Sequence, residues 1–147
     1  MNYKPIIIIN GEPNSIFLEI FFKVFKKKYK SPIILISSLK LLNFYKKRFN
    51  FKKKINIISH KKISKKKLNN SSINLINIDL DFKNKVKKIS FSSNKFIEKS
   101  FTIGLDIIKS GITHKFINGP ISKKTFLNKN CNVNDYLLIQ RMFLKIV

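Results

Sequence analysis

Cysteine is nearly missing from this chain. Cys131 is the only one in 147 residues, so no intrachain disulfide forms, and no zinc site built on two or four cysteines is available. A reducing, cytoplasmic setting is the expectation that follows. Tryptophan and alanine are absent, and glycine and proline occur four times each. Carboxylates are scarce: 7 Asp and Glu face 31 Lys and Arg, giving a formal charge of +24. Arginine is scarce as well, with Arg48 and Arg141 its only instances. No apolar run reaches the length of a membrane span. Lys4 precedes a run of four isoleucines, but Asn10-Gly11-Glu12-Pro13 ends it too early for a secretory leader.

The basic excess first suggests an anionic partner such as nucleic acid. Its composition argues otherwise. Proteins that read bases favour arginine, whose planar fork matches bases and phosphates bidentately, and here the basic residues are almost all lysine. Lys, Asn, Ile and Phe dominate together, as a strongly AT-biased genome produces without selection for a basic surface. The clusters Lys26–Lys28, Lys52–Lys54 and Lys65–Lys67 fall at helix ends and in loops and form no sustained stripe. Phe22, Phe25, Phe44 and Phe101 take core-like helical positions, so core phenylalanines beside solvated lysines are preferred to a base-stacking platform.

What the chain does contain is an alternation of short apolar runs and helical patterns, in a length that suits one domain with a real core. Residues 4–9 hold a continuous β-branched run, Ile6–Ile9, as in a strand buried on both faces. Asn14 or Ser15 then caps a helix in which Ile16, Phe17, Ile20, Phe21, Val24 and Phe25 recur at helical spacing through about Tyr29. Pro32 opens a strand over Ile33–Ile36, Ser37 or Ser38 caps a helix to about Arg48, and Ile55–Ile58 is a third strand. Ile73–Leu80 alternates apolar and polar residues like a half-exposed strand. A helix from Ser92 or Ser93 carries Phe96, Ile97, Phe101, Leu105 and Ile108, with Gly111 as its C-terminal cap. Phe116-Ile117 is a further strand, and Ser122 begins another helix. This order predicts a three-layer α/β fold with a mostly parallel sheet.

Two junctions stand out, because between them they use two of the glycines and two of the prolines. One is Ile9-Asn10-Gly11-Glu12-Pro13, and the other is Ile117-Asn118-Gly119-Pro120-Ile121-Ser122-Lys123-Lys124. In an open α/β sheet such loops lie at the carboxyl ends of strands, where ligands bind. Glycine permits a sharp turn that exposes backbone N–H groups, and a following helix N-terminus adds partial positive charge. With the Ser122 hydroxyl and the Lys123 and Lys124 ammonium groups, the second loop suits a phosphate or carboxylate. A plain strand–helix turn with Ser122 as N-cap is the competing reading. Neither junction is a Walker A loop or a Gly-x-Gly-x-x-Gly fingerprint.

Taken together, the junctions resemble the 4-hydroxythreonine-4-phosphate dehydrogenase family of vitamin B6 biosynthesis. That family opens with a strand and Gly-Glu-Pro-Ala-Gly-Ile-Gly-Pro-Glu, where this chain has Gly11-Glu12-Pro13-Asn14-Ser15-Ile16-Phe17-Leu18-Glu19. Later it has a helix, a glycine, a short strand and a Thr/Asn-Gly-Pro-Ile/Val-x-Lys loop. This chain has Phe101–Ile108, Gly111, Phe116-Ile117 and Asn118-Gly119-Pro120-Ile121-Ser122-Lys123 in the same order. The resemblance extends from residue 4 to about residue 137.

The resemblance implies an isocitrate/isopropylmalate-dehydrogenase-like fold and a homodimer. It also implies NAD-dependent (or NADP-dependent) oxidation, with decarboxylation, of 4-phosphooxy-L-threonine, assisted by a divalent metal. It places Gly119, Pro120, Ser122 and Lys123 at the phosphorylated substrate, with Asn134 and Asp135 behind them in place of the family's Thr and Glu. Gly11, Glu12, Pro13 and Asn118 would shape the loops. Ser15 and Phe17 replace two family glycines, and Val133 falls where some members carry a substrate-binding His. Family members are about twice as long, and their metal-binding histidines have no counterpart here. His60 and His114 stand in non-matching places and read as structural or surface residues. Residues 1–147 are therefore expected to be the N-terminal part of a single dehydrogenase-like subunit, with the C-terminal half absent and with no activity alone. No membrane contact is expected. A non-catalytic anion- or RNA-binding basic α/β protein, or a decayed fragment, stand as the alternatives.

Overall fold

The computed structural model describes residues 3–63, 68–80 and 91–121. Lys65–Lys67, Cys131 and the expected site residues Ser122, Lys123, Asn134 and Asp135 lie outside these, as does the helix expected from Ser122.

Among the described residues five strands form one sheet: β1 (Ile6–Ile9), β2 (Ile33–Ser37), β3 (Ile55–Ile57), β4 (Ile73–Asn77) and β5 (Lys115–Asn118). Their spatial order is β3-β4-β2-β1-β5, and every pairing is parallel. The expected α/β fold with a parallel sheet is therefore what the chain adopts. Among the described residues three helices connect the strands: α1 (Phe17–Val24), α2 (Leu39–Arg48) and α3 (Phe91–Lys109). The step from β1 to β2 and the return to β5 run in opposite directions across the sheet. Right-handed crossovers then place α1 and α3 on opposite faces.

The central strands are mostly apolar because both faces are covered. Ile7, Ile9, Ile34, Leu35, Ile36, Ile73 and Leu75 are wholly inaccessible. On one side α1 and α2 enclose a phenylalanine cluster, in which the Phe22 and Phe51 rings lie 4.8 Å apart and those of Phe21 and Phe25 5.1 Å. On the other, α3 packs against Phe116, whose ring lies 6.1 Å from that of Phe101. Buried Thr113 ties the start of β5 to β1: its Oγ1 donates to the Pro5 carbonyl (2.6 Å) and accepts from Lys115 N–H. Gly111, at φ +73°, ends α3 as expected, its N–H donating to the Ile108 carbonyl.

Three expectations are corrected. Helix α1 ends at Val24 rather than near Tyr29: the backbone closes a tight turn there, with Lys27 N–H donating to the Val24 carbonyl (3.0 Å), and the Tyr29 hydroxyl donates to the same carbonyl (3.0 Å). Its inward face also differs. Leu18, Phe21, Phe22 and Phe25 are buried, while Ile16, Ile20 and Val24 are 67%, 49% and 44% exposed. This helix is apolar on more than one face, and spacing alone does not choose between overlapping stripes. Finally, β4 is not half-exposed. It sits between β3 and β2 and ends at Asn77, with Ile73–Ile76 all buried. Asn74 is tolerated there because its amide is spent: Nδ2 donates to the carbonyls of Ile33 (2.9 Å) and Asn69 (2.8 Å), and Oδ1 accepts from Asn56 Nδ2 (3.2 Å).

Candidate active site at the carboxyl edge of the sheet

Strand β1 has β2 on one side and β5 on the other, so the chain changes direction across the sheet between β1 and β5. Such a switch point is where open α/β sheets bind ligands, outside the carboxyl ends of the strands. Both Gly-Pro loops emerge there, as the sequence suggested.

The loops lock onto each other. Gly119 N–H donates to the Ile9 carbonyl (2.8 Å), and Glu12 N–H donates to the Pro120 carbonyl (2.9 Å). Gly11 takes φ +68°, and a Cβ there would meet the Pro120 carbonyl oxygen at 2.5 Å. A Cβ on Gly119 would overlap the Asn10 carbonyl. The missing side chains thus serve backbone-to-backbone packing. This differs from the open cradle expected of these glycines, since two of the loop N–H groups close the junction instead of facing a ligand.

The rest of the first loop is a turn built on one carbonyl. The Glu12 oxygen accepts from Ser15 N–H (3.1 Å), Ser15 Oγ (2.8 Å) and, more weakly, Asn10 Nδ2 (3.4 Å). Ser15 Oγ also accepts from Phe17 N–H (3.3 Å). Ser15 therefore supports the start of α1 from one residue before the N-cap. The N-cap residue itself is Ile16, which supplies no side-chain bond. Pro13 is buried under this turn, Glu12 is half-buried, and Asn118 at the end of β5 donates from Nδ2 to the Gly119 carbonyl (3.3 Å).

A row of polar residues continues across the edge from Gly119 to Asn10, Ser37 and Asn77. Asn10 N–H donates to the Ile36 carbonyl (3.1 Å), extending the β1–β2 register by one residue, and Ser37 pairs with Asn77. Asn10 is 1% exposed and Ser37 0%, yet Asn10 Oδ1 and Ser37 Oγ have no hydrogen-bond partner. Such orphaned buried atoms are unusual in folded proteins. Sequence reasoning did not select these two as site residues. The one signal for Asn10 is an amide closing a strand that is otherwise all isoleucine.

The neighbouring helix start is closed. Leu39 N–H donates to Asn77 Oδ1 (2.8 Å) and Leu41 N–H to Ser38 Oγ (3.5 Å), so α2 is capped by the protein itself, with Ser38 as expected. Electrostatically, the nearest resolved perturbation is at Glu19 in the first turn of α1. Its carboxyl is held below the usual range by a hydrogen bond from Lys23 Nζ (2.8 Å) and by that ammonium's charge.

The metal implied by the resemblance finds no fit among the described residues. Among the described residues no three His, Cys, Asp or Glu side chains gather into a ligand set. His60 follows β3 at the carboxyl edge, whereas His114 precedes β5 at the opposite end. The space beside Gly11 and Gly119 is taken by main-chain atoms of the facing loop. Among the described residues no helix is long and apolar enough to cross a membrane.

No family model and no curated protein matches the chain. Solved structures do. A 4-hydroxythreonine-4-phosphate dehydrogenase from Klebsiella pneumoniae superposes with a TM-score of 0.68 at 16% identity, over 83% of this chain and 38% of its own. A putative one from Salmonella typhimurium gives 0.72 at 15%, over 87% and 41%. One from Burkholderia phymatum gives 0.69 at 17%, over 84% and 38%. The chain thus spans about two fifths of the length of the structures it matches. The resemblance first read from the two Gly-Pro junctions holds at the level of fold: this chain has the fold of part of a 4-hydroxythreonine-4-phosphate dehydrogenase.

Proposed function

We propose that the carboxyl edge of this sheet binds a phosphorylated hydroxy amino acid of the 4-phosphooxy-L-threonine type, and that the chain belongs functionally to NAD-dependent oxidation of that substrate in vitamin B6 synthesis. The observation that carries this reading is the locked pair of loops at the switch point, Gly11-Glu12-Pro13 against Gly119-Pro120, in a fold shared with dehydrogenases acting on such a phosphate. On this reading Lys123 and Ser122 meet the phosphate beyond Pro120, and Asn134 and Asp135 contribute polar contacts behind them. The start of α1, whose N-cap residue offers no side-chain bond, adds a positive pole to the same edge. Asn10 Oδ1 and Ser37 Oγ are acceptor and hydroxyl groups that a bound polar group or water would satisfy.

Oxidation of the secondary alcohol would need a metal to polarise the oxygen and a nicotinamide to accept the hydride. The described residues supply neither site, so the chain is proposed to bind substrate without turning it over by itself. A homodimer in the cytoplasm, with NAD or NADP and the metal provided through a complete site, is the working form this reading implies.

Amide chemical shifts test the location. Titrating 4-phosphooxy-L-threonine into the labelled protein should shift residues 10–15 and 118–121 while leaving 26–30 and 52–54 unmoved. Shifts confined to the lysine-rich loops would remove the reading. So would NADH production by the purified chain with a divalent metal, as regards the claim that it is inactive alone.

A further inference from the structure

We propose that the opposite, amino-terminal end of the sheet is a binding surface for the phosphate backbone of single-stranded RNA. It is a different surface from the edge described above and does not depend on the reading of that edge.

The lysine clusters are scattered along the sequence, and no stripe is visible there. The fold gathers two of them, Lys26–Lys28 and Lys52–Lys54, together with single lysines. In an all-parallel sheet every helix ends, and every strand begins, at the same end of the molecule. Lys26, Lys27, Lys28 and Lys30 lie between α1 and β2, and Lys52 and Lys54 between α2 and β3. Lys4 precedes β1 and Lys115 opens β5. All of these are exposed.

Contacts show that the loops form one continuous surface. Lys53 reaches from the α2–β3 loop to the end of α1, where its Nζ donates to the Phe25 carbonyl (3.0 Å) and stands 4.5 Å from the Phe25 ring centroid. Lys115 Nζ donates to Ser31 Oγ (3.3 Å) in the α1–β2 loop. Lys30 Nζ lies 6.0 Å from the ring centroid of Tyr3, which is itself exposed.

Helix C-termini do carry negative partial charge, and lysines beside them partly answer it. The magnitudes do not match. Three helix ends contribute about half a charge each, whereas the loops bring several times that in ammonium groups. Carboxylates are mostly elsewhere: Glu12 and Asp79 follow strands at the carboxyl edge, and Glu19 and Glu98 lie in the leading halves of α1 and α3. Asp106, toward the end of α3, is the exception among the described residues.

Ammonium groups interleaved with an exposed Tyr3 and a half-buried Tyr29 suit a strand of phosphates with unpaired bases that stack. A lipid surface fits less well. Insertion needs several exposed apolar side chains; the most exposed, Ile16 and Ile57, belong to the other end, and Val24 at the end of α1 is the one exposed aliphatic residue described at this end.

The test uses equal charge changes at two ends of the full chain. One variant carries Lys27→Glu, Lys28→Glu and Lys52→Glu. The other carries Lys40→Glu, Lys61→Glu and Lys62→Glu, all outside the proposed surface. Fluorescence anisotropy with a labelled oligouridylate of about 12 nucleotides reads binding. The first variant should bind roughly tenfold more weakly and lose salt dependence by about 0.7 in slope per phosphate contact removed. The second should stay within about twofold of the parent. Equal losses in both variants would reduce the effect to diffuse charge and overturn the proposal. So would absence of binding at low salt, or tighter binding to vesicles of anionic phospholipid than to RNA. Circular dichroism confirms that each variant is folded.

Discussion

Gly11 and Gly119 stand in facing loops packed backbone against backbone: a side chain on Gly11 would need the space of the Gly119 and Pro120 carbonyls, and one on Gly119 the space of the Asn10 carbonyl. A Cβ on Gly11 would lie 2.5 Å from the Pro120 carbonyl oxygen and 2.7 Å from the Gly119 carbonyl carbon. The atoms it would strike are main-chain atoms of a hydrogen-bonded junction, not the mobile end of a side chain.

Gly119→Ala should therefore cost roughly 2–3 kcal/mol, at the upper end for overpacking, because relief requires the strand ends to part. Gly111→Ala is the comparison. Gly111 has φ +73° but no atom within 4 Å of the added carbon, so only the left-handed backbone is penalised, by about 1 kcal/mol. Urea denaturation of the two variants measures the difference, and equal losses would contradict the locked junction.

Ser37→Ala tests the orphaned hydroxyl. Ser37 Oγ is inaccessible and has no partner. Removing it should leave stability unchanged or raise it by up to about 1 kcal/mol, since a desolvated group is lost without a hydrogen bond. A clear loss in denaturant midpoint would show that the hydroxyl already has a partner.

Asn74→Leu tests the converse case. Three hydrogen bonds of a wholly buried amide disappear, leaving the Asn69 carbonyl and Asn56 amide to find new partners. Unfolding free energy should fall by roughly 2–3 kcal/mol. A loss below about 1 kcal/mol would mean that burial of β4, not its amide network, sets the cost.

Glu19 gives a pH prediction of small consequence. The hydrogen bond and charge of Lys23 lower its pKa, so the pair's contribution is present above the ordinary carboxylate value and is lost as pH falls through the lowered one. The pair is solvated, so Lys23→Met should barely move the melting temperature. NMR titration should show the Glu19 carboxyl moving back up toward its ordinary range. No movement would place the cause elsewhere.

Strands β1, β2 and β5 were legible because β-branched runs bounded by Pro, Gly and Asn leave few alternatives, and α2 because Ser38 marks its start. Helix α1 is shorter, and its inward face narrower, than the apolar spacing predicts. Its isoleucines and phenylalanines satisfy two stripes, and only contact with α2 and the sheet selects Leu18, Phe22 and Phe25. The polarity of Asn74 hid the burial of β4, since the bonds that make it tolerable come from Ile33 and Asn69, one of them far away in sequence. Both Gly-Pro loops were recognised, but their mutual closure depends on β1 and β5 becoming neighbours across more than a hundred residues. The gathering of lysines at one end has the same origin: it follows from parallel topology and has no local signature.

The central claim is that the junction of Gly11 and Gly119 presents a phosphate-binding edge. Isothermal titration of 4-phosphooxy-L-threonine into the 147-residue chain and into its Lys123→Ala variant tests it most directly. The account predicts saturable binding at one site, weakened by about tenfold or more when the ammonium group is removed. Absence of saturation, or equal affinity in the two proteins, would contradict it.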